Sequence, residues 1–86
     1  MNAKEMFEEL GYRLTKNQTE IQEKFYKKIA QGNLLTKHII FSHWYTTNWE
    51  IECYAIRKNP GRIEYFPISK DLYKAIQKQI EELGWK

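Results

Sequence analysis

The sequence predicts one α+β domain over residues 1–86, in which an antiparallel meander sheet of three to four strands carries an N-terminal and a C-terminal helix on one face. Apolar residues recur at helical spacing near both ends of the chain and alternate with polar residues in its middle. Both helical segments end in Glu-Glu-Leu-Gly-aromatic. With 86 residues, 42% of them hydrophobic, the chain is long enough for one compact core.

The first helix is predicted to begin after Asn2, whose side-chain oxygen can accept a hydrogen bond from the first turn. Glu5 follows three residues later, which completes a capping box. Gly11 is expected to end the helix in a left-handed conformation, and Tyr12 to cover its last turn. The apolar stripe of this helix consists of Ala3, Met6, Phe7 and Leu10.

The last helix repeats this design at greater length. Pro67 precedes it and Ser69 is the predicted N-cap. Gly84 is expected to terminate the helix, with Trp85 folding back onto it. Its apolar stripe consists of Leu72, Ile76, Ile80 and Leu83, with Tyr73 beside them. The two Glu-Glu-Leu-Gly-aromatic endings therefore serve to stop each helix and cover its last turn.

The middle of the chain has the period-two pattern of strands. The segment Lys37–Phe41 is a short run of β-favouring residues, Asn59-Pro60-Gly61 is a turn, and Ile63–Phe66 is a further strand that Pro67 cannot continue. A strand with one buried face is predicted where Trp49, Ile51, Cys53 and Ala55 alternate with more exposed positions.

The segment Thr19–Ile29 fits two structures. Ile21, Phe25 and Ile29 lie at helical spacing, and Gly32 could cap such a helix, but the same three residues also share one face of a strand. The local spacing slightly favours the helix, but we predict the strand, because a helix here would leave at most three strands for the sheet.

Both ends of the chain resemble a family of small uncharacterised proteins from phages and prophages of low-GC Gram-positive bacteria. The resemblance rests on the opening MNAKEMFEELGY and on the closing ISKDLYKAIQKQIEELGW. Between these ends, the sequences of the family usually look like a run of strands that finishes in an Ile-Ile-Phe element. His38-Ile39-Ile40-Phe41 fits that place in this chain. The resemblance implies an origin and a rough fold, and it carries over no catalytic or binding residue.

The sequence favours a protein without catalytic, metal or cofactor sites. His38, His43 and Cys53 are its only soft metal ligands, and they lack the spacing of a zinc site, so we interpret them as a strand histidine, a loop histidine and a buried thiol. Cys53 lies on the expected core face, where a thiol is inert. A lone cysteine, no apparent signal peptide and no membrane-length apolar stretch favour a cytoplasmic protein without membrane contact.

The basic residues suggest nucleic acid as an alternative partner. If Thr19–Ile29 is a strand, Lys24, Tyr26 and Lys28 share its outer face, where lysines could hold phosphates and the ring could stack a base. The same surface would take in Lys37, Arg57, Lys58 and Arg62. The net charge of +3 permits this function without demanding it, and lysines on an outer face also protect sheet edges and aid solubility.

Trp44 and Tyr45 suggest a protein partner instead. Adjacent residues of an extended chain point in opposite directions, so one of the two rings is expected to be partly exposed. Exposed Trp and Tyr beside basic residues are typical of binding hot spots, but the simpler interpretation is that a small domain uses these rings as a lid over its core. The sequence thus predicts a non-catalytic, phage-type accessory protein that binds a host or phage protein, with a homodimer contact as a further option and nucleic-acid binding as the alternative.

Overall fold

The computed structural model describes residues 1–18, 22–43, 49–58 and 61–85. Its five strands form one antiparallel sheet in chain order, β1-β2-β3-β4-β5. The elements are α1 (Ala3–Glu9), β1 (Arg13–Gln18), β2 (Glu23–Ala30), β3 (Leu35–His43), β4 (Trp49–Arg57), β5 (Arg62–Glu64) and α2 (Lys70–Leu83). The α+β class, the meander and the two terminal helices are confirmed, whereas the predicted three to four strands are too few.

The strand that the sequence did not predict is β1. Its residues RLTKNQ show no period-two alternation, and only Leu14 contacts the core. The register also shifts between Leu14 and Lys16, where Thr15 forms a bulge. A polar edge strand with a bulge has little hydrophobic periodicity, so pairing with β2 rather than local sequence defines it.

The predicted helix caps are present. The Asn2 side chain accepts a hydrogen bond from the Glu5 amide at 2.8 Å, and the Asn2 amide donates to the Glu5 carboxylate at 3.0 Å. Ser69 Oγ accepts from the Leu72 amide at 3.1 Å at the start of α2. Gly84 has a φ of +75° after the last turn of α2. The sequence therefore located both helices correctly.

Both helices pack on one face of the sheet, where aromatic rings make up much of the core. Phe7 of α1 stacks on Tyr26 of β2 with ring centroids 4.0 Å apart. The Ala3 amide, at the start of α1, donates to a Glu82 carboxylate oxygen of α2 at 2.7 Å, which ties the helices together. The buried core cluster is Phe7, Tyr12, Tyr26, Ile39, Phe41, Leu72, Ala75, Ile76 and Trp85.

The strand prediction for Thr19–Ile29 is confirmed from Glu23 onward, but the predicted orientation of its side chains is wrong. Tyr26 is 1% exposed and lies under the helices, because its ring stacks on Phe7 and its hydroxyl donates to Gln79. The alternation of a strand then turns Phe25 and Ile29 to the other face. Tyr26 is therefore a core residue and cannot stack a base.

The predicted buried face of β4 is confirmed only at one end. Ala55 is buried, but Trp49 and Ile51 are 43% and 38% exposed, although they lie on the helix side of the sheet. Trp49 stacks on Trp85 with ring centroids 5.8 Å apart. Trp85, rather than a helix, therefore covers this end of the sheet.

Candidate binding surface on the open face of the sheet

The sheet face turned away from α1 and α2 is the candidate binding surface, and we call it the open face. No helix within the described ranges covers it. Its central residues, from β2 to β5, are Phe25, Ile29, His38, Ile40, Tyr54, Ile56 and Ile63. Basic side chains border it at β1 and β2, and two carboxylates border it at β4. The surface is therefore apolar at its centre and oppositely charged at its two sides.

Isoleucines dominate the exposed apolar area of the open face. Ile29 is 57% exposed, Ile63 is 68% exposed, and Ile56 pairs directly with Ile63 across the strands. Tyr65, just beyond β5, is 88% exposed. It borders a cleft of about 690 Å³ that runs along the outer edge of β4 and is also lined by Tyr54, Ile56 and Ile63. Contiguous exposed apolar side chains of this kind mark interaction surfaces.

His38 occupies the centre of the open face. Its ring stacks on Tyr54 with centroids 5.0 Å apart, and its Nε2 lies 3.1 Å from Thr36 Oγ1. Burial, and then the charge of Lys27, lower the pKa of His38 below its ordinary value of 6.5. The imidazole is therefore neutral near pH 7, which keeps the centre of this face uncharged.

The open face is charged in opposite senses at its two sides. Arg13 and Lys27 pair across β1 and β2, and Lys16 pairs with Phe25, so that its ammonium lies 5.0 Å from the ring centroid. Lys16 also forms a 2.7 Å ion pair with Glu23. On β4, Glu50 and Glu52 are exposed, and neither makes an ion pair within the described parts of the chain.

Three of the predicted basic residues border the helix layer instead of the open face. Lys24 donates to the Asn17 side chain at 2.6 Å. The ammonium groups of Lys28 and Lys37 lie 5.7 Å and 4.9 Å from the ring centroids of Tyr12 and Phe66. Lys28 and Lys37 are also direct cross-strand neighbours, so the structure brings these two together. Their stems cover aromatic rings at the margin of the core.

The basic residues around the last strand are mostly paired. Arg57 donates to Glu64 and, at 3.0 Å, to the Gln31 side chain. Arg62 lies 3.7 Å from the same Glu64 carboxylate, and the hydrogen bond from Arg57 lowers the pKa of Glu64. Lys58 is exposed. The predicted basic residues therefore do not assemble into one surface, and Trp44 and Tyr45 lie outside the described residues.

The candidate metal ligands do not converge either. His38 lies on the open face, whereas Cys53 pairs with the core residue Ile39 on the helix side. The prediction of a loop histidine was wrong, since His43 is the last residue of β3. Cys53 is half-buried at the margin of the core rather than fully buried as predicted, and this burial raises the pKa of its thiol. Within the described residues, no three His, Cys, Asp or Glu side chains are grouped to hold a metal ion.

Comparisons of the chain with protein-family models, curated proteins and solved structures found no match. None of the helices in the described ranges is long and apolar enough to cross a membrane.

Sequence reasoning missed the open-face residues Phe25, Lys27 and Ile29. The signal that could have found them is the alternation of β2 itself, because one aromatic residue of the Phe25–Tyr26 pair must point away from the helices. To choose between the two rings, one would first have had to know which aromatic residues form the core.

Proposed function

We propose that this protein is a non-catalytic binding module that docks a protein partner on the open face of its sheet. The observation that supports this proposal is the row of exposed isoleucines, Ile29, Ile56 and Ile63, held on a regular antiparallel sheet. Side chains on paired strands are held in place before binding, so docking costs little conformational entropy. The partner contacts an apolar centre and a charged rim, as in most protein–protein interfaces.

The resemblance of both chain ends to phage and prophage proteins supports an accessory role in which the partner is a host or phage protein. The aromatic side chains near the open face strengthen this proposal. Tyr65, with 88% of its surface exposed, extends beside the cleft at the edge of β4 and provides an amphipathic anchor.

A comparative pull-down tests the proposal. Tagged wild-type protein, the double variant Ile56→Lys/Ile63→Lys and the control Ile68→Lys are each incubated with extract of a low-GC Gram-positive bacterium. Ile68 is a matched control because it is 47% exposed and precedes α2, outside the open face. We expect a protein that wild type and the control retain and that the double variant loses, identified by mass spectrometry.

Two results would count against a protein of this extract as the partner on the open face. Either wild type retains no specific protein, or the double variant retains the same proteins as the control. Circular dichroism of all three proteins establishes that each is folded. Since both substituted isoleucines are exposed, we expect each lysine to change the free energy of unfolding by less than about 0.5 kcal/mol.

Nucleic-acid binding is a second candidate, at a different place from the one that the sequence suggested. Arg13, Lys16 and Lys27 surround Phe25 at one corner of the open face, and this combination can hold phosphates and stack a base. The carboxylates of Glu50 and Glu52 would repel a strand that continued across the sheet, so a protein partner is favoured. A gel-shift with single-stranded RNA and DNA that shows no complex at about 50 mM salt would exclude this candidate.

A further inference from the structure

We infer that the partner on the open face is a second copy of this chain, packed sheet against sheet in a symmetric dimer. This inference rests on the proposed function, because it assumes that the open face docks a protein. The two-fold axis runs between the two sheets, along the strands and midway between β2 and β3. Under this symmetry, β1 of one copy lies over β4 of the other, and β2 lies over β3.

One row of side chains across the open face is complementary to itself. Reading from β1 to β4, direct cross-strand neighbours give the order Lys16, Phe25, Ile40, Glu52. When this row is reversed and laid on itself, each lysine meets a glutamate and each phenylalanine meets an isoleucine. A basic–apolar–apolar–acidic row is thus suited to a two-fold contact with its own copy.

The lysine in this row retains donors for a second carboxylate. Its ammonium has three N–H groups, of which the ion pair with Glu23 uses one, and 44% of the Lys16 side chain is exposed. Glu52 is exposed and has no ion partner among the described residues. In the dimer, Lys16 of the other copy pairs with the Glu52 carboxylate.

The neighbouring row is also compatible with the dimer. Its order from β1 to β4 is Arg13, Lys27, His38, Tyr54. The reversal places the guanidinium of Arg13 over the ring of Tyr54, a favourable cation–π geometry. It places Lys27 over His38, which is tolerated because the imidazole is neutral near pH 7.

The charge pattern favours this axis over one that runs across the strands. An axis across the strands would place β1 over β1 and would bring the cations Arg13 and Lys16 of both copies together. Like charges at such an interface are destabilising, whereas the axis along the strands separates them.

The area of the contact indicates a weak dimer. Four strands of about eight residues cover roughly 500 Å² of each copy, so the dimer would bury about 1,000 Å² in total. That is the lower limit for a specific interface, so we expect a dissociation constant on the order of 10–100 μM.

Analytical ultracentrifugation of the full chain tests the inference. Wild type, Glu52→Lys, Lys16→Glu and the control Glu9→Lys, whose site is exposed on α1, are compared at about 50 mM salt, from about 10 to 500 μM protein, so that mass action reveals a weak dimer. Each open-face variant alone should associate at least about tenfold more weakly, because it opposes like charges. An equimolar mixture of both variants should regain association, and Glu9→Lys should match wild type.

Two contrary outcomes of the ultracentrifugation would overturn different parts of the inference. A wild-type chain that stays monomeric throughout overturns the second copy as partner, and the pull-down with Ile56→Lys/Ile63→Lys then decides independently whether the open face binds another protein. A dimer that neither single variant weakens, or that the mixture does not restore, overturns this arrangement of the copies. Since Lys16→Glu also disturbs the pair with Glu23, circular dichroism checks its fold, and Glu52→Lys provides the test if Lys16→Glu is unfolded.

Discussion

Tyr26 and Gln79 form a polar contact inside an otherwise apolar core. The Tyr26 hydroxyl donates to the Gln79 amide oxygen, and the two side chains are 1% and 2% exposed. Burial, followed by the charges of Glu82 and Glu8, raises the pKa of Tyr26 to about 12. The hydroxyl therefore remains protonated and able to donate at neutral pH. At this scale, one buried hydrogen bond links β2 to α2.

Tyr26→Phe is expected to lower the free energy of unfolding by about 1–3 kcal/mol, because it leaves the buried Gln79 oxygen without a donor. Urea denaturation measures the change. The double variant Tyr26→Phe/Gln79→Leu removes both polar groups and should recover part of the loss. An unchanged urea midpoint for Tyr26→Phe alone would show that the hydrogen bond contributes nothing.

His38 is the single residue whose charge state most affects the open face. Its pKa in the folded protein lies below the unfolded value, so the folded state binds fewer protons in the range between the two. The contribution of His38 to stability is therefore complete above pH 6.5 and is lost as the pH falls towards the folded pKa.

An NMR titration of the His38 ring should give a midpoint below pH 6.5. Lys27→Gln removes one of the two causes and should raise this midpoint, although part of the shift should persist because burial is the larger cause. Lys24→Gln, on the helix side of the same strand, is the control. A midpoint at or above 6.5 in wild type would contradict the environment assigned to His38.

At the scale of elements, residues outside the helices determine where the helices begin and end. α2 starts at the Ser69 cap and ends where Gly84 takes a φ of +75°. This left-handed residue lets the Trp85 amide donate to the Ile80 carbonyl at 3.1 Å, so the chain reverses onto the last turn. An L-residue with a side chain is strained in that conformation.

Gly84→Ala should therefore lower the free energy of unfolding by about 1 kcal/mol, although a methyl group at this position meets no atom within 4 Å. Gly61→Ala is the matched control, since a methyl group there also meets nothing within 4 Å and its φ lies outside the left-handed range. Thermal denaturation of both variants separates strain from steric clash. Equal melting temperatures for the two would refute a conformational role for Gly84.

At the scale of the whole molecule, Trp85 joins elements that are distant in the chain. Its ring is 7% exposed, stacks on Trp49 and packs against Phe41. Its indole N–H donates to the Gln22 side chain at 3.2 Å, and Gln22 in turn donates to the Leu83 carbonyl at 3.1 Å. The second residue after α2 thus closes the end of the sheet that the helices leave uncovered.

Trp85→Ala is expected to cost about 3–5 kcal/mol of unfolding free energy, because it removes a large buried ring and leaves a cavity. Chemical denaturation followed by circular dichroism measures this loss. Tyr65→Ala is the control, because its ring is 88% exposed and should contribute less than about 0.5 kcal/mol. A Trp85→Ala protein as stable as Tyr65→Ala would show that the end of the sheet does not depend on this ring.

The sequence alone located both terminal helices and their caps, because Asn2, Glu5, Ser69 and Gly84 act on backbone groups within a few residues of themselves. It also identified the strand pattern around Cys53, since a period of two is a local property. β1 was not predicted, because a polar edge strand has little hydrophobic periodicity and depends on pairing with its neighbour.

Only the tertiary structure decided which face of the sheet the helices cover. A strand containing Phe25 and Tyr26 offers an aromatic ring to each side, and the alternation is the same whichever side is buried. The stacking of Phe7 on Tyr26 and the hydrogen bond to Gln79 settle the choice, and both partners lie far away in the chain. The candidate surface follows from that choice, because burying Tyr26 is what turns Phe25 and Ile29 to the open face.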